Sequence, residues 1–171
     1  DGGFWADLYT HNWAEDSKPL YDTWKYLYKV IVFSNDALTT IDKHKQLLTD
    51  EQYKAYRAEV RAIRALYYYY LMDMFGNIPL VTTAGESTEN ADQASRPEVY
   101  RFIVKELQEV TPLLPTGHSN LLGKNYGRVT RSVANFLLAK LMLNGEVYSD
   151  ADWTDNQQPN GKQTYFTING Q

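Results

Sequence analysis

Apolar positions along this chain recur mostly at steps of three and four, the period of a helix face. Trp24, Tyr28, Ile31, Asn35 and Leu38 keep that spacing and predict a first helix over 23–42. Tyr26, Val30, Phe33 and Ala37 form a second stripe on it, which implies burial on more than one side. Asn35 is the polar intruder in the first stripe. A buried amide left unpaired costs about 1–3 kcal/mol, so Asn35 is expected to hydrogen-bond a neighbouring loop.

A second helix is predicted over 50–75. Thr49 and Gln52 have capping-box spacing, and Gly76 with Pro79 just beyond marks the end. Its apolar stripe is Tyr53, Tyr56, Val60, Ile63, Tyr67, Tyr70 and Met74. Ala55, Ala58, Ala62 and Ala65 make a small-residue stripe expected to lie closely against the first helix. Arg57, Arg61, Arg64 and Tyr68 make a polar one. Ser95 and Glu98 repeat the capping box, with Pro97 in the first turn of a third helix that runs to about 111. Val99, Ile103, Leu107 and Val110 point inward on it, and Pro112 and Pro115 end it. Thr130 caps a fourth helix to about 144, nearly encircled by Val133, Ala134, Phe136, Leu137, Leu138, Leu141 and Leu143, and Gly145 ends it.

Between these helices lie polar, glycine-bearing stretches. Residues 1–21 read as an aromatic-rich loop, 76–95 as a loop anchored by Ile78-Pro79-Leu80-Val81, and 115–129 as a third loop. Residues 149–171 form a polar tail in which 164–168 reads as a short strand or extended arm. The pattern is that of an all-α single domain: antiparallel helix pairs with long loop insertions and a four-helix core over 22–148.

Composition narrows the function. With 43% hydrophobic and 22% charged residues, the 171-residue chain is globular rather than disordered. A net charge of -4 with no basic stripe argues against a nucleic-acid partner. The absence of cysteine excludes disulfides, thiolate zinc sites and a cysteine nucleophile. No apolar run approaches the ~20 residues of a membrane span. The start at Asp1 without Met and the bare end at Gln171 predict a piece of something longer.

Candidate chemistry is sparse. His11, His44 and His118 lack metal-ligand spacing and read as surface groups. Asp150, Asp152 and Asp155 lack the glycine and closing glutamate of a calcium loop and read as an acidic turn. Glu106 and Glu109 read as a solvated face. The arginine stripe is expected to meet carboxylates, carbonyls or tyrosines between helices, with an anionic ligand as the alternative, and the run Tyr67-Tyr68-Tyr69-Tyr70 to be core and near-core. No nucleophile, base, metal or cofactor constellation emerges, so no enzyme is expected. Phe4, Trp5, Tyr9 and Trp13 fall outside any helical stripe and sit among Asp7, Asn12, Asp16 and Ser17. Flat rings stack on sugar C–H faces, and directional amides and carboxylates meet hydroxyls. Trp5, Tyr9, Asn12 and Trp13 are therefore the candidate ligand-binding residues. The alternative is that these rings seal the loop against the helices.

The stretch Tyr56 to Leu71, continuing through Phe75-Gly76-Asn77-Ile78-Pro79-Leu80-Val81, resembles the SusD/RagB family. So do the Trp24, Tyr28, Ile31 and Asn35 pattern, the series Tyr100, Ile103, Glu106-Leu107 and Leu114-Pro115, and Gly127-Arg128-Val129-Thr130-Arg131 with Ala134, Leu138-Ala139 and Leu143. These stretches occur in the family's order over most of 20–148. The resemblance implies tetratricopeptide-like helix pairs and a non-enzymatic protein held at the bacterial outer-membrane surface by a lipid anchor outside these residues. It implies capture of an oligosaccharide, or in one branch a peptide, for a SusC-like TonB-dependent transporter. A helical-repeat scaffold that binds only protein or peptide is the alternative. It predicts buried rings at Trp5 and Trp13, where a glycan binder predicts exposed ones.

Overall fold

The structure is a computed structural model that describes residues 3–86, 91–152 and 154–161. A short helix α1 (Phe4–Tyr9) opens the chain, and α2 (Lys18–Lys43) follows. The aromatic segment is thus not wholly a loop, and α2 starts five residues before the predicted 23. Pro19 explains the early start. Its fixed φ suits a first helical turn, where its missing N–H costs nothing. Ser17 Oγ accepts from Ala14 N at 3.0 Å, and Ser17 O accepts from Tyr21 N at 3.0 Å. Of the predicted face, Tyr28, Ile31, Asn35 and Leu38 are buried and Trp24 is half-buried, and Leu27 joins them in the core. The second stripe is not: Tyr26 and Phe33 are each 58% exposed, so α2 buries one side.

α3 (Asp50–Phe75) has the predicted bounds. Gln52 N donates to Thr49 Oγ1 at 3.2 Å, and Thr49 N donates to Gln52 Oε1 at 3.0 Å, closing the capping box. Gly76 ends the helix at φ 73°, a left-handed conformation that glycine adopts without a Cβ penalty. At about 1.5 Å per residue α3 is roughly 39 Å long and spans the domain.

The faces of α3 differ from expectation. Ala58, Ala62, Ala65, Arg64, Tyr68, Tyr69, Leu71 and Met72 are buried, whereas Tyr56, Tyr70 and Met74 are exposed. The stripe that looks polar in sequence carries part of the core. The contacts of α3 with α2 run through Tyr53, Arg57, Arg64, Tyr67 and Phe75. At 100° per residue, Ala58 and Ala62 lie on the other side of the helix. They share that side with Glu59, Tyr69 and Asp73, whose partners are Arg128 and Tyr148. The alanines therefore serve the later helices, not α2.

After α3 the chain forms β1 (Ile78–Pro79), paired antiparallel with β2 (Gln93–Ala94) in the register Ile78 opposite Ala94. α4 (Arg96–Val110) opens on the Ser95–Glu98 capping box and passes into a 3-10 turn at Thr111–Leu113. α5 (Arg131–Leu143) and α6 (Gly145–Tyr148) follow. Thr130 occupies the N-cap position of α5 without a side-chain capping bond. α5 ends at Leu143, as the predicted stop near 144–145 requires, but Gly145 then opens a further short helix that the sequence did not predict. Asn144 caps α5, and α6 brings Tyr148 into the core, where its hydroxyl donates to Asp73 Oδ1 at 2.5 Å. The core extends past 148 to buried Asp150. The predicted strand at 164–168 lies outside the described residues.

Cross-helix contacts fix the topology. Asp42 meets Arg57 at 2.7 Å while Trp24 meets Phe75 edge-on at 5.0 Å, so α2 and α3 are antiparallel. Arg61 meets Glu109 and Tyr68 meets Phe102, so α3 and α4 are antiparallel. Tyr100 donates to Leu141 O, and Arg131 to Thr111 O, so α4 and α5 are as well. One apolar cluster joins α2 through α6. The fold is all-α with tetratricopeptide-like pairs, as predicted.

Candidate functional site

The segment that carries the candidate residues is built by local hydrogen bonds. Thr10 N donates to Ala6 O at 2.8 Å, and Asn12 N reaches back to Asp7 O at 2.8 Å, with His11 at φ 59° making the turn. Trp5 and Tyr9, four residues apart on α1, share one face and are 69% and 87% exposed. Trp13 is 48% exposed, and its ring lies 5.3 Å from the His11 ring at 34°. Asn12 is exposed too. Trp5, Tyr9, Asn12 and Trp13 thus present ring faces and a two-sided amide within one short stretch. The side chain of Phe4 lies outside the described residues.

A second aromatic surface was missed in sequence. A groove of about 380 Å³ runs along α2 between Tyr21, Trp24, Lys25, Tyr28, Lys29, Val32 and Phe33. The signal is the four-residue spacing Tyr21, Lys25, Lys29, Phe33, in which two lysines sit between two rings, so it carries no continuous apolar period.

The arginine stripe meets carboxylates and carbonyls, as expected. Arg64, 6% exposed, donates to Asn35 Oδ1 at 2.8 Å, Thr82 O at 3.1 Å and Glu106 Oε2 at 2.7 Å. Arg61 adds bonds to Glu106 and Glu109. Glu106 is therefore not on a solvated face. It is 7% exposed between two guanidiniums. Burial pushes its carboxyl up, but the hydrogen bonds from Arg61 and Arg64 outweigh that and hold it below the usual 4.5. An ionised carboxylate so held is an ion-pair partner rather than a proton donor.

The network also anchors the chain after β1. Asn35 Nδ2 donates to Val81 O at 3.1 Å, Tyr68 Oη donates to the same oxygen at 2.6 Å, and Val81 N donates to Tyr68 Oη at 2.9 Å. Tyr28 Oη donates to Pro79 O at 2.7 Å. These side chains satisfy backbone groups that no helix or broad sheet reaches. Burial pushes the Tyr28 and Tyr68 hydroxyls far above the ordinary value, so both stay protonated as donors.

His11, His44 and His118 are exposed and apart. Among the described residues no group of three or more His, Cys, Asp or Glu is placed to hold a metal. Asp150 accepts from Asp152 N at 3.0 Å and from Asn160 N at 3.4 Å, so it builds a turn.

Comparison with known proteins identifies the architecture. Residues 2–143 match a SusD-like family model described as starch-binding and associating with the outer membrane. The chain belongs to the SusD-like family. It is 30% identical over 102 residues to the starch-binding protein SusD of Bacteroides thetaiotaomicron, covering 60% of this chain and 17% of that protein. Among solved structures, surface glycan-binding protein A of Bacteroides uniformis superposes with a TM-score of 0.72 at 28% identity, covering 84% of this chain and 32% of that one. A laminarin-binding SusD-like protein gives a TM-score of 0.62 at 28% identity, covering 85% and 32%. The chain thus spans under a third of the SusD-like proteins it matches. SusD-like proteins are carbohydrate binders and not catalysts. Among the described residues no helix is long and apolar enough to cross a membrane.

Proposed function

We propose that this chain is part of a glycan-capture protein at the outer-membrane surface. It gathers oligosaccharide for a SusC-like TonB-dependent transporter and is held at the membrane by a lipid anchor. The observation that supports this reading most is the exposure of Trp5, Tyr9 and Trp13 in a carbohydrate-binding family. A protein-only scaffold predicts those rings in the core. Trp5, Tyr9 and Trp13 supply stacking surface, and Asn12 supplies a donor and an acceptor to hydroxyls. Affinity at this segment is modest, because each sugar hydroxyl gives up water for its new hydrogen bond.

The test is Trp13→Ala, titrated by calorimetry with starch-derived, laminarin-derived and uronate oligosaccharides beside the parent chain. Loss of one stacked ring predicts roughly three- to tenfold weaker binding with an unchanged unfolding midpoint. Unchanged affinity with lowered stability assigns Trp13 to packing and removes it from the site.

A further inference from the structure

The groove along α2 carries chemistry that the aromatic segment lacks. Tyr21, Lys25, Lys29 and Phe33 succeed one another at four-residue steps over about 18 Å of helix. Trp24, Tyr28 and Val32 form the adjoining wall. Tyr21 and Phe33 are each 58% exposed, so the groove offers a ring at either end. Lys25 Nζ lies 5.8 Å from the Tyr21 ring centre and Lys29 Nζ 5.6 Å from that of Phe33, which holds both ammoniums against the rings.

Neither lysine joins an ion pair among the described residues. Arg57, Arg61, Arg64 and Arg128 all do, and the nearby Asp22 is taken by Lys18. Lys25 and Lys29 thus place two cations without an ion-pair partner among the described residues between two exposed rings, with Asp36 further along the same helix. Rings take the C–H faces of sugars, and ammoniums take carboxylates. A recess along one helix suits a linear chain better than a flat bilayer.

We propose that this groove binds a uronate-bearing oligosaccharide, with Lys25 and Lys29 pairing its carboxylates and Tyr21 and Phe33 stacking on its rings. This rests on the glycan-capture reading and adds the ligand's charge to it.

The experiment titrates the full chain with a defined oligogalacturonate and with the same oligosaccharide after its carboxyl groups are reduced to alcohols. The parent should bind the charged form roughly three- to tenfold more tightly, since two exposed ion pairs contribute modestly. Raising salt toward about 1 M should weaken that preference, because the Debye length falls there to about 3 Å, the range of an exposed ion pair. Lys25→Gln with Lys29→Gln should remove the preference without changing the unfolding midpoint, and Lys25→Arg with Lys29→Arg should retain it.

Equal affinity for the two forms overturns the inference and leaves glycan capture standing, as does a preference that survives in the glutamine pair. Tighter binding of a sulfated oligosaccharide than of the uronate also overturns it. So does self-association, or binding to anionic vesicles, that the glutamine pair abolishes in the absence of a uronate preference. Failure to bind any oligosaccharide, starch- and laminarin-derived ones included, overturns both readings.

Discussion

At the residue scale, the buried cluster of Arg64, Glu106 and Asn35 does most to define the interior. Arg64 and Glu106 have side chains 7% and 9% exposed, so removing one leaves the other buried and uncompensated. Glu106→Ala is expected to cost about 3–5 kcal/mol in urea unfolding. Asp42→Ala, at a pair whose side chains are 32% and 45% exposed, is expected to cost no more than about 1 kcal/mol. The Glu106 carboxyl is held below its ordinary 4.5, so its contribution is fully present above that value. It is lost as pH falls through the lower folded value. Acid titration of stability should show a step below 4.5 in the parent that is missing in Glu106→Ala; identical acid profiles would refute the assignment. Part of this was legible. The place of Asn35 in an apolar stripe foretold its bond to the loop at Val81. Val99, Ile103, Leu107 and Val110 are buried as their spacing predicts. Glu106, next to Leu107, is buried as well because Arg61 and Arg64 partner its carboxylate, which no period in the sequence shows.

At the element scale, the strongest local signals succeeded. Capping boxes at Thr49 and Ser95 and the glycine at 76 place α3 and α4, because these bonds are local and owe nothing to the rest of the fold. Faces were harder to assign, since which stripe of α3 is buried depends on what packs there. Tyr56 and Tyr70 are apolar enough to look like core, yet Arg64 and Tyr68 take the buried positions because Glu106 and Val81 offer partners. The alanines remain a tight contact, on the side of α3 away from α2. Ala62, 1% exposed, has no room for a larger side chain, so Ala62→Leu should lower stability by about 1–3 kcal/mol. A thermal midpoint equal to the parent's would show that side of α3 to be loosely packed. The early start of α2 shows how a single Pro19 outweighs the polar composition around it.

At the scale of the whole molecule, antiparallel layers of α2 through α5 hold one core, and the ring-bearing surfaces lie on α1 with its following turn and along α2. The helical class followed from periodicity alone. The candidate binding segment was legible as rings outside any stripe, but the α2 groove was not, because it emerges only when neighbouring turns are seen as a surface. Glycan capture through the aromatic segment is the central claim, and side-chain NMR tests it most directly. Indole N–H resonances are followed while starch-, laminarin- and polyuronide-derived oligosaccharides are added to the chain. The account predicts that the Trp5 and Trp13 signals move saturably with at least one of these ligands, and that Trp13→Ala weakens the response at Trp5. Trp5 and Trp13 signals that stay fixed with every oligosaccharide would contradict it.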